Sequence, residues 1–231
     1  MEIAYFFKDY KVPMYQWQHV HIIDELKSHN CNVNIINPLE YASVEEANDA
    51  LLKYVETKKI DLFMTPHNEE ELLIETLEKI KSHGIPTLLI CFDNLIVPFV
   101  HYKIAPHFDL VWLTSKETKP LFDKLGANSV FLPYAANPNM ERCDESVTGV
   151  GFVGTPYGSR ANMINALTDN KISVYCHCLK KQEETTQEND PKPSSTMSQR
   201  RVGLEFIKFP QGRRVIEGAV VNRFKKSAVL N

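Results

Sequence analysis

The stretch Asp109-Leu-Val-Trp-Leu-Thr-Ser115, followed by Leu132-Pro-Tyr-Ala-Ala-Asn137 and then Gly151-Phe-Val-Gly-Thr-Pro-Tyr-Gly-Ser-Arg160, reads as one α/β domain closing and a second opening. The apolar run Asp109 to Leu113 predicts a buried strand, with Thr114 or Ser115 opening a helix after it. Ser129 to Leu132 is a short strand leading to Pro133 and a loop, and Val147 to Val153 starts a new unit. Its first helix spans Ser159 to Leu167 and its next strand Lys171 to Cys176. A strand that ends in glycine and feeds a helix can offer backbone N–H groups to a phosphate, because a helix N-terminus carries about half a positive charge. A ligand cleft is expected between the two units.

Upstream, short apolar runs alternate with longer amphipathic ones. Glu2 to Phe7, Cys31 to Ile36, Ile60 to Met64 and Pro86 to Phe92 are strand-like. Tyr15 to His29, Val44 to Thr57 and Glu69 to His83 carry apolar residues at helical spacing, the last ending at Gly84, where a left-handed cap costs little. That alternation is the sequence form of βαβ units and of a parallel sheet buried on both faces. The expected fold class is α/β: residues 1–140 a doubly wound, Rossmann-like parallel-sheet domain, residues 141–231 the start of a second, incomplete one. Within the latter, Lys180 to Arg201 is polar with almost nothing to bury and reads as a flexible segment.

Composition narrows the class further. The chain has 231 residues, 43% hydrophobic and 24% charged, with a formal net charge of −3, which argues against a general nucleic-acid binder. No apolar run approaches the roughly 20 residues that cross a bilayer, and the N-terminus lacks a basic region followed by a long apolar stretch, so a cytoplasmic protein is expected. Five cysteines at no framework spacing suit a reducing compartment. Cys176-His177-Cys178 departs from metal-ligand spacing and reads as a strand with buried thiols, so no metal site is expected.

In doubly wound sheets ligands sit beyond the carboxyl ends of the strands. That rule selects the loops carrying Lys8-Asp9, His67-Asn68 and Asp93-Asn94. Asp93 can orient a hydroxyl or act as a general base, or form an Asx turn or helix cap ahead of Leu95. His67 is a second catalytic candidate, or else an exposed residue before a helix whose acidic first turn suits the dipole. Gly154, Thr155, Ser159 and Arg160 are candidates for phosphate contact: Gly154 admits a close approach to the backbone, and Arg160 can pair with the anion. The competing reading is a plain strand-to-helix turn. His19 and His21 fall on opposite sides of a helix and make a poor ligand pair. Trp17 and Trp112 are core or cleft-wall residues.

The succession Cys91-Phe-Asp-Asn94, Asp109-Leu-Val-Trp-Leu-Thr-Ser115, Leu125-Gly-Ala127, Leu132-Pro-Tyr-Ala-Ala136 and Gly151-Phe-Val-Gly154 with Arg160 resembles the spore-maturation-protein-like glycosyltransferases, a branch of the group-one GT-B enzymes. The resemblance runs from about residue 60 to about residue 170. It implies two Rossmann-like domains, an N-terminal one holding the acceptor and a C-terminal one holding a nucleotide-sugar donor, with no cofactor and no obligatory metal. It also implies transfer of a sugar to a glycan, protein or small-molecule acceptor in cell-surface, spore-surface or secondary-metabolite synthesis. Asp93 and His67 would act on the acceptor, while Gly154, Thr155, Ser159 and Arg160 would hold the donor. The chain ends before the acidic motif of many group-one members, and the expectation is therefore of a truncated relative. The alternative is a non-catalytic relative that binds nucleotide or acceptor or serves as a partner subunit; a response-regulator-like or flavodoxin-like module is a third reading.

Overall fold

The computed structural model describes residues 1–10, 13–95, 97–135, 149–153 and 160–177, together with residues 204, 205, 207, 208, 212, 213 and 216. The polar segment 180–201 and the loop holding Gly154, Thr155 and Ser159 lie outside the described residues, as do Cys178 and the side chains of Cys176 and His177. The chain divides into two compact units, Met1–Met140 and Glu141–Asn231.

The first unit is built on a six-stranded sheet. Its strands are β1 (Glu2–Phe6), β2 (Asn32–Ile36), β3 (Leu62–Thr65), β4 (Thr87–Cys91), β5 (Leu110–Leu113) and β6 (Ser129–Phe131). Their order in the sheet is β2-β1-β3-β4-β5-β6, and every pair is parallel. All-parallel pairing requires crossovers, and crossovers put helices over both faces. The core accordingly divides by side-chain alternation along β1. Ala4 and Phe6 enter one apolar cluster with Leu51, Phe63, Leu77 and Phe122, while Ile3, Tyr5 and Phe7 enter another with Ile23, Met64 and Ile90. Both sets are buried, which is why these strands read as unbroken apolar runs rather than alternating ones.

The helices follow the predicted order with some informative departures. The segment read as one helix from Tyr15 comprises α1 (Pro13–Gln18), a π-helical stretch (His19–Ile23) and α2 (Asp24–Ser28), with the Asp24 N–H returning to the His19 carbonyl five residues back. Helix α3 (Val44–Thr57) is capped by the Ser43 hydroxyl, which accepts from the Glu46 N–H at 3.1 Å. The helix expected from Glu69 begins instead at Ile74: α4 spans Ile74–Ser82. Residues 67–73 are held out of it by tertiary bonds, because the Leu73 N–H donates to Asn48 Oδ1 at 3.0 Å and Glu71 turns to Lys8. Gly84, at φ +73°, closes α4 in the left-handed conformation the sequence predicts.

Between β4 and β5 the described residues hold no long helix but the 3₁₀ turns Pro98–His101 and Ala105–His107. Neither residue proposed to open the next helix caps it. Thr114 is buried, its hydroxyl donating to the Cys91 carbonyl or Asn94 Oδ1, and Ser115 makes no side-chain cap bond before α5 (Lys119–Lys124).

In the second unit β7 (Val150–Val153) and β8 (Val174–His177) pair in parallel, and α6 (Arg160–Asp169) lies between them in sequence, the βαβ order that was expected. Ile164 of α6 is buried.

Candidate functional site

The carboxyl ends of β1, β3, β4 and β5 share one rim, because neighbouring strands are parallel. His67 and Asp93, following β3 and β4, therefore stand on the same rim. The groups on it behave very differently.

His67 is buried, and both ring nitrogens are engaged. Nε2 accepts the Lys8 backbone N–H at 3.0 Å, so the proton of the neutral ring is on Nδ1, which donates to Glu71 Oε2. Lys8 Nζ completes the arrangement on Glu71 Oε1 at 2.6 Å. Burial alone would push the Glu71 carboxyl up, but the hydrogen bonds from His67 and Lys8 and the ammonium charge overcome it and hold the group at about 2 rather than 4.5. This imidazole therefore ties the β1 and β3 loops together, with no ring lone pair open to a substrate.

Asp93 is exposed and sits at φ +50°, a left-handed conformation that aspartate tolerates better than most residues. Its N–H donates to the Tyr134 hydroxyl at 3.4 Å, and its carbonyl accepts from Val97 N at 3.1 Å. The neighbouring Asn94 is wholly buried and braces the turn. Its Oδ1 accepts the Thr114 N–H at 3.0 Å, and its Nδ2 donates to Thr118 Oγ1. Phe92 and Tyr134 lie nearly parallel, and Trp17 meets both edge-on at 5.6 and 5.4 Å between ring centroids. Trp17 is thus a wall residue of this rim. Trp112 packs on the sheet and donates its indole N–H to the Leu132 carbonyl at 2.8 Å.

Among the described residues, a hollow on the rim lies after β1. A cavity of about 310 Å³ is lined by Asp9, Tyr10, Gln16, His19 and Val20. Asp9 is buried, and its Oδ1 meets His19 Nε2 at 2.9 Å. The Asp9 N–H donates to Asn37 Oδ1 at 3.1 Å, which fixes the start of the loop against the end of β2. His19 stands at the first position of the π-helical stretch, with its ring edge-on to Phe7 at 6.0 Å. Short π segments inside α-helices recur at functional sites, because the widened turn re-aims side chains. The Asp9 loop was picked out in the sequence by its place after the first strand. His19 was not, since its partner lies on a different element and helical spacing set it only against His21.

Arg160 is exposed at the first position of α6. Among the described residues no group of three or more His, Cys, Asp or Glu side chains is placed to hold a metal ion. Among the same residues no helix is long and apolar enough to cross a membrane.

Fold and site together define a parallel α/β unit with a small cavity at its carboxyl rim. No protein-family model matches the chain, and no curated protein does. The chain is similar to an ABC transporter solute-binding protein from Clostridium phytofermentans with β-D-glucose bound, at 10% identity and a TM-score of 0.36, over 76% of this chain and 51% of that one. It is also similar to one from Agrobacterium vitis bound with α-D-tagatopyranose, at 13% identity and a TM-score of 0.31, over 76% of this chain and 67% of that one. The chain thus spans about half the length of the first.

These findings correct the reading drawn from the resemblance. The solved structures just named are solute-binding proteins rather than GT-B enzymes, and no family match places the chain among the spore-maturation-protein-like glycosyltransferases. The glycosyltransferase activity, the nucleotide-sugar donor with its glycan, protein or small-molecule acceptor, and the alternative of a truncated GT-B relative are set aside with it. Cys91-Phe-Asp-Asn94 and Asp109 to Ser115 are strand ends and braces that a parallel sheet of this order uses for packing, and they are not particular to sugar transfer.

Proposed function

We propose that the first unit binds a small, uncharged, hydroxyl-rich molecule of monosaccharide size in the cavity between the β1 loop and the helix that follows it. One observation carries the reading: a buried carboxylate, Asp9, paired with an imidazole, His19, on the wall of a cavity of about 310 Å³ at the carboxyl rim of a parallel sheet. The volume is at the small end of the roughly 300–1,000 Å³ usual for ligand pockets. The lining supports the ligand class: a carboxylate accepts from hydroxyls, the Gln16 amide and Tyr10 phenol both donate and accept, and Val20 offers an apolar patch. The position follows the general rule for ligands of parallel α/β sheets.

Calorimetry of the full chain against free monosaccharides and polyols tests the proposal, with glucose and tagatose in the panel. At least one compound is expected to bind, and Val20→Phe, which fills the cavity from an exposed position, is expected to abolish that binding without unfolding the protein. Absence of binding across the panel, or binding that Val20→Phe leaves unchanged, overturns the assignment.

A further inference from the structure

The helix that walls the cavity changes its period where it does so. Gln18 is buried, its side-chain oxygen accepting from the hydroxyl of Tyr5 on β1. Ile22 and Ile23 are buried in the apolar cluster to which Tyr5 belongs, and Leu26 packs against that cluster. These sheet-facing positions are spaced i, i+4, i+5 and i+8. At about 100° per residue an unbroken α-helix would turn Ile23 about 140° away from Gln18, past the edge of any single buried face. The π turn removes that misfit: with the Asp24 N–H returning to the His19 carbonyl five residues back, residues five apart overlie much as residues four apart do in an α-helix. Take away one residue between Gln18 and Ile22, and the same positions fall at i, i+3, i+4 and i+7, the ordinary amphipathic stripe.

We propose that this helix carries one residue more than the sheet requires and that the surplus serves the site: the widened turn brings the His19 ring to Asp9 and opens the wall on which Val20 stands, so that the cavity depends on the π turn. This rests on the reading of that cavity as a ligand site. Between Gln18 and Ile22, His19 and Val20 line the cavity, and His21 lies with its ring 5.2 Å from that of Trp17. The surplus residue thus falls on the cavity side of the helix, away from the buried stripe. A π turn forgoes part of the regular i→i−4 ladder, and the buried stripe would be served equally by an unbroken helix one residue shorter. The cavity is what the turn adds.

Deleting His21 from the full chain tests this, with His21→Ala as the control that keeps the residue count. The deletion variant is expected to fold with a urea midpoint no lower than that of the wild type. Its crystal structure is expected to show α-helical bonding through Ile23, the Asp9–His19 bond lost and the cavity closed. In calorimetry it is expected to lose binding of whichever monosaccharide or polyol of the panel the wild type takes, while His21→Ala retains it. A lowered midpoint or a failure to fold means that packing itself needs the π turn, and overturns the proposal. So does a cavity that survives the deletion with its Asp9–His19 bond, or binding lost equally in His21→Ala. If the wild type binds no compound of the panel, the ligand reading fails by itself, and the midpoint and crystal structure of the deletion variant still decide whether the π turn makes the cavity.

Discussion

The loops after β1 and β3 leave neighbouring strands on the same rim, yet one borders a cavity and the other is filled by its own charges. After β3, His67 is pinned at both nitrogens and Glu71 is answered by Lys8. After β1, Asp9 and His19 meet along the wall of open space. Two carboxylate–imidazole pairs a few residues apart in the fold thus have different duties, and residue type does not tell them apart. What separates them is whether the ring's second nitrogen is spent on the backbone. His67 spends it on Lys8, and its pair serves the architecture.

The sharpest way to break this contrast is to cut the filled side. Glu71→Ala is expected to lower stability by about 3 kcal/mol in urea denaturation, the low end of the cost of orphaning a buried charge, since the side chain keeps a quarter of its exposure. A loss below about 1 kcal/mol would class the network with surface ion pairs instead. The same carboxyl sets an acid limb. Its folded value near 2 lies below the ordinary 4.5, so the unfolded chain takes up the proton first as pH falls. The stability it contributes is complete above about pH 4.5 and disappears towards pH 2, and Glu71→Gln is expected to flatten that limb.

On the hollow side the larger effect belongs to binding. Asp9→Asn should weaken whichever hydroxyl-rich compound binds by about 1.5–3 kcal/mol, or roughly 10- to 150-fold, the usual worth of a hydrogen bond to a charged group. Calorimetry reads the change. Unaltered affinity would mean that the two pairs do not differ in duty after all.

Between the two lies His101, whose pKa is lowered chiefly by burial, against the Pro66 hydrogen bond and the carboxylates of Glu69 and Glu71. A base with a depressed folded value contributes stability that is full above the ordinary histidine value of 6.5 and is lost as pH falls below it. His101→Leu is expected to remove that slope below pH 6.5, read from denaturation midpoints at successively lower pH. The smallest effect is at Asp93. Exposed at the end of β4, Asp93→Asn should stay within about 0.5 kcal/mol of wild type in stability. Any change in ligand affinity in that variant would extend the site from the Asp9 cavity past Trp17.

Much of the sheet was legible because its strands are buried on both faces. Glu2 to Phe7, Ile60 to Met64 and Pro86 to Phe92 are short, largely apolar runs with helical periods between them, and such an alternation has few folded solutions other than a parallel α/β sheet. Ser43 before Val44 and Gly84 after the helix ending at Ser82 were legible for local reasons, a side-chain cap and a permissive φ. The departures have a common cause. The start of α4 was misplaced because Glu69 to Leu73 has good helical spacing, and Asn48 and Lys8, distant in sequence, pull it out of the helix. Thr114 looked like a cap because its bonds to Cys91 and Asn94 cross from one strand end to another.

The carboxyl rim followed from topology, and with it the notice taken of Asp9, His67 and Asp93. Their division of labour did not. It rests on hydrogen bonds closed over 59 residues between Lys8 and His67, 63 between Lys8 and Glu71, and 10 between Asp9 and His19. Local propensity and periodicity act over a few residues, so they set the elements and their order. Which polar groups are spent on the fold and which face a cavity is decided only when distant segments meet and compete for the same lone pairs and protons.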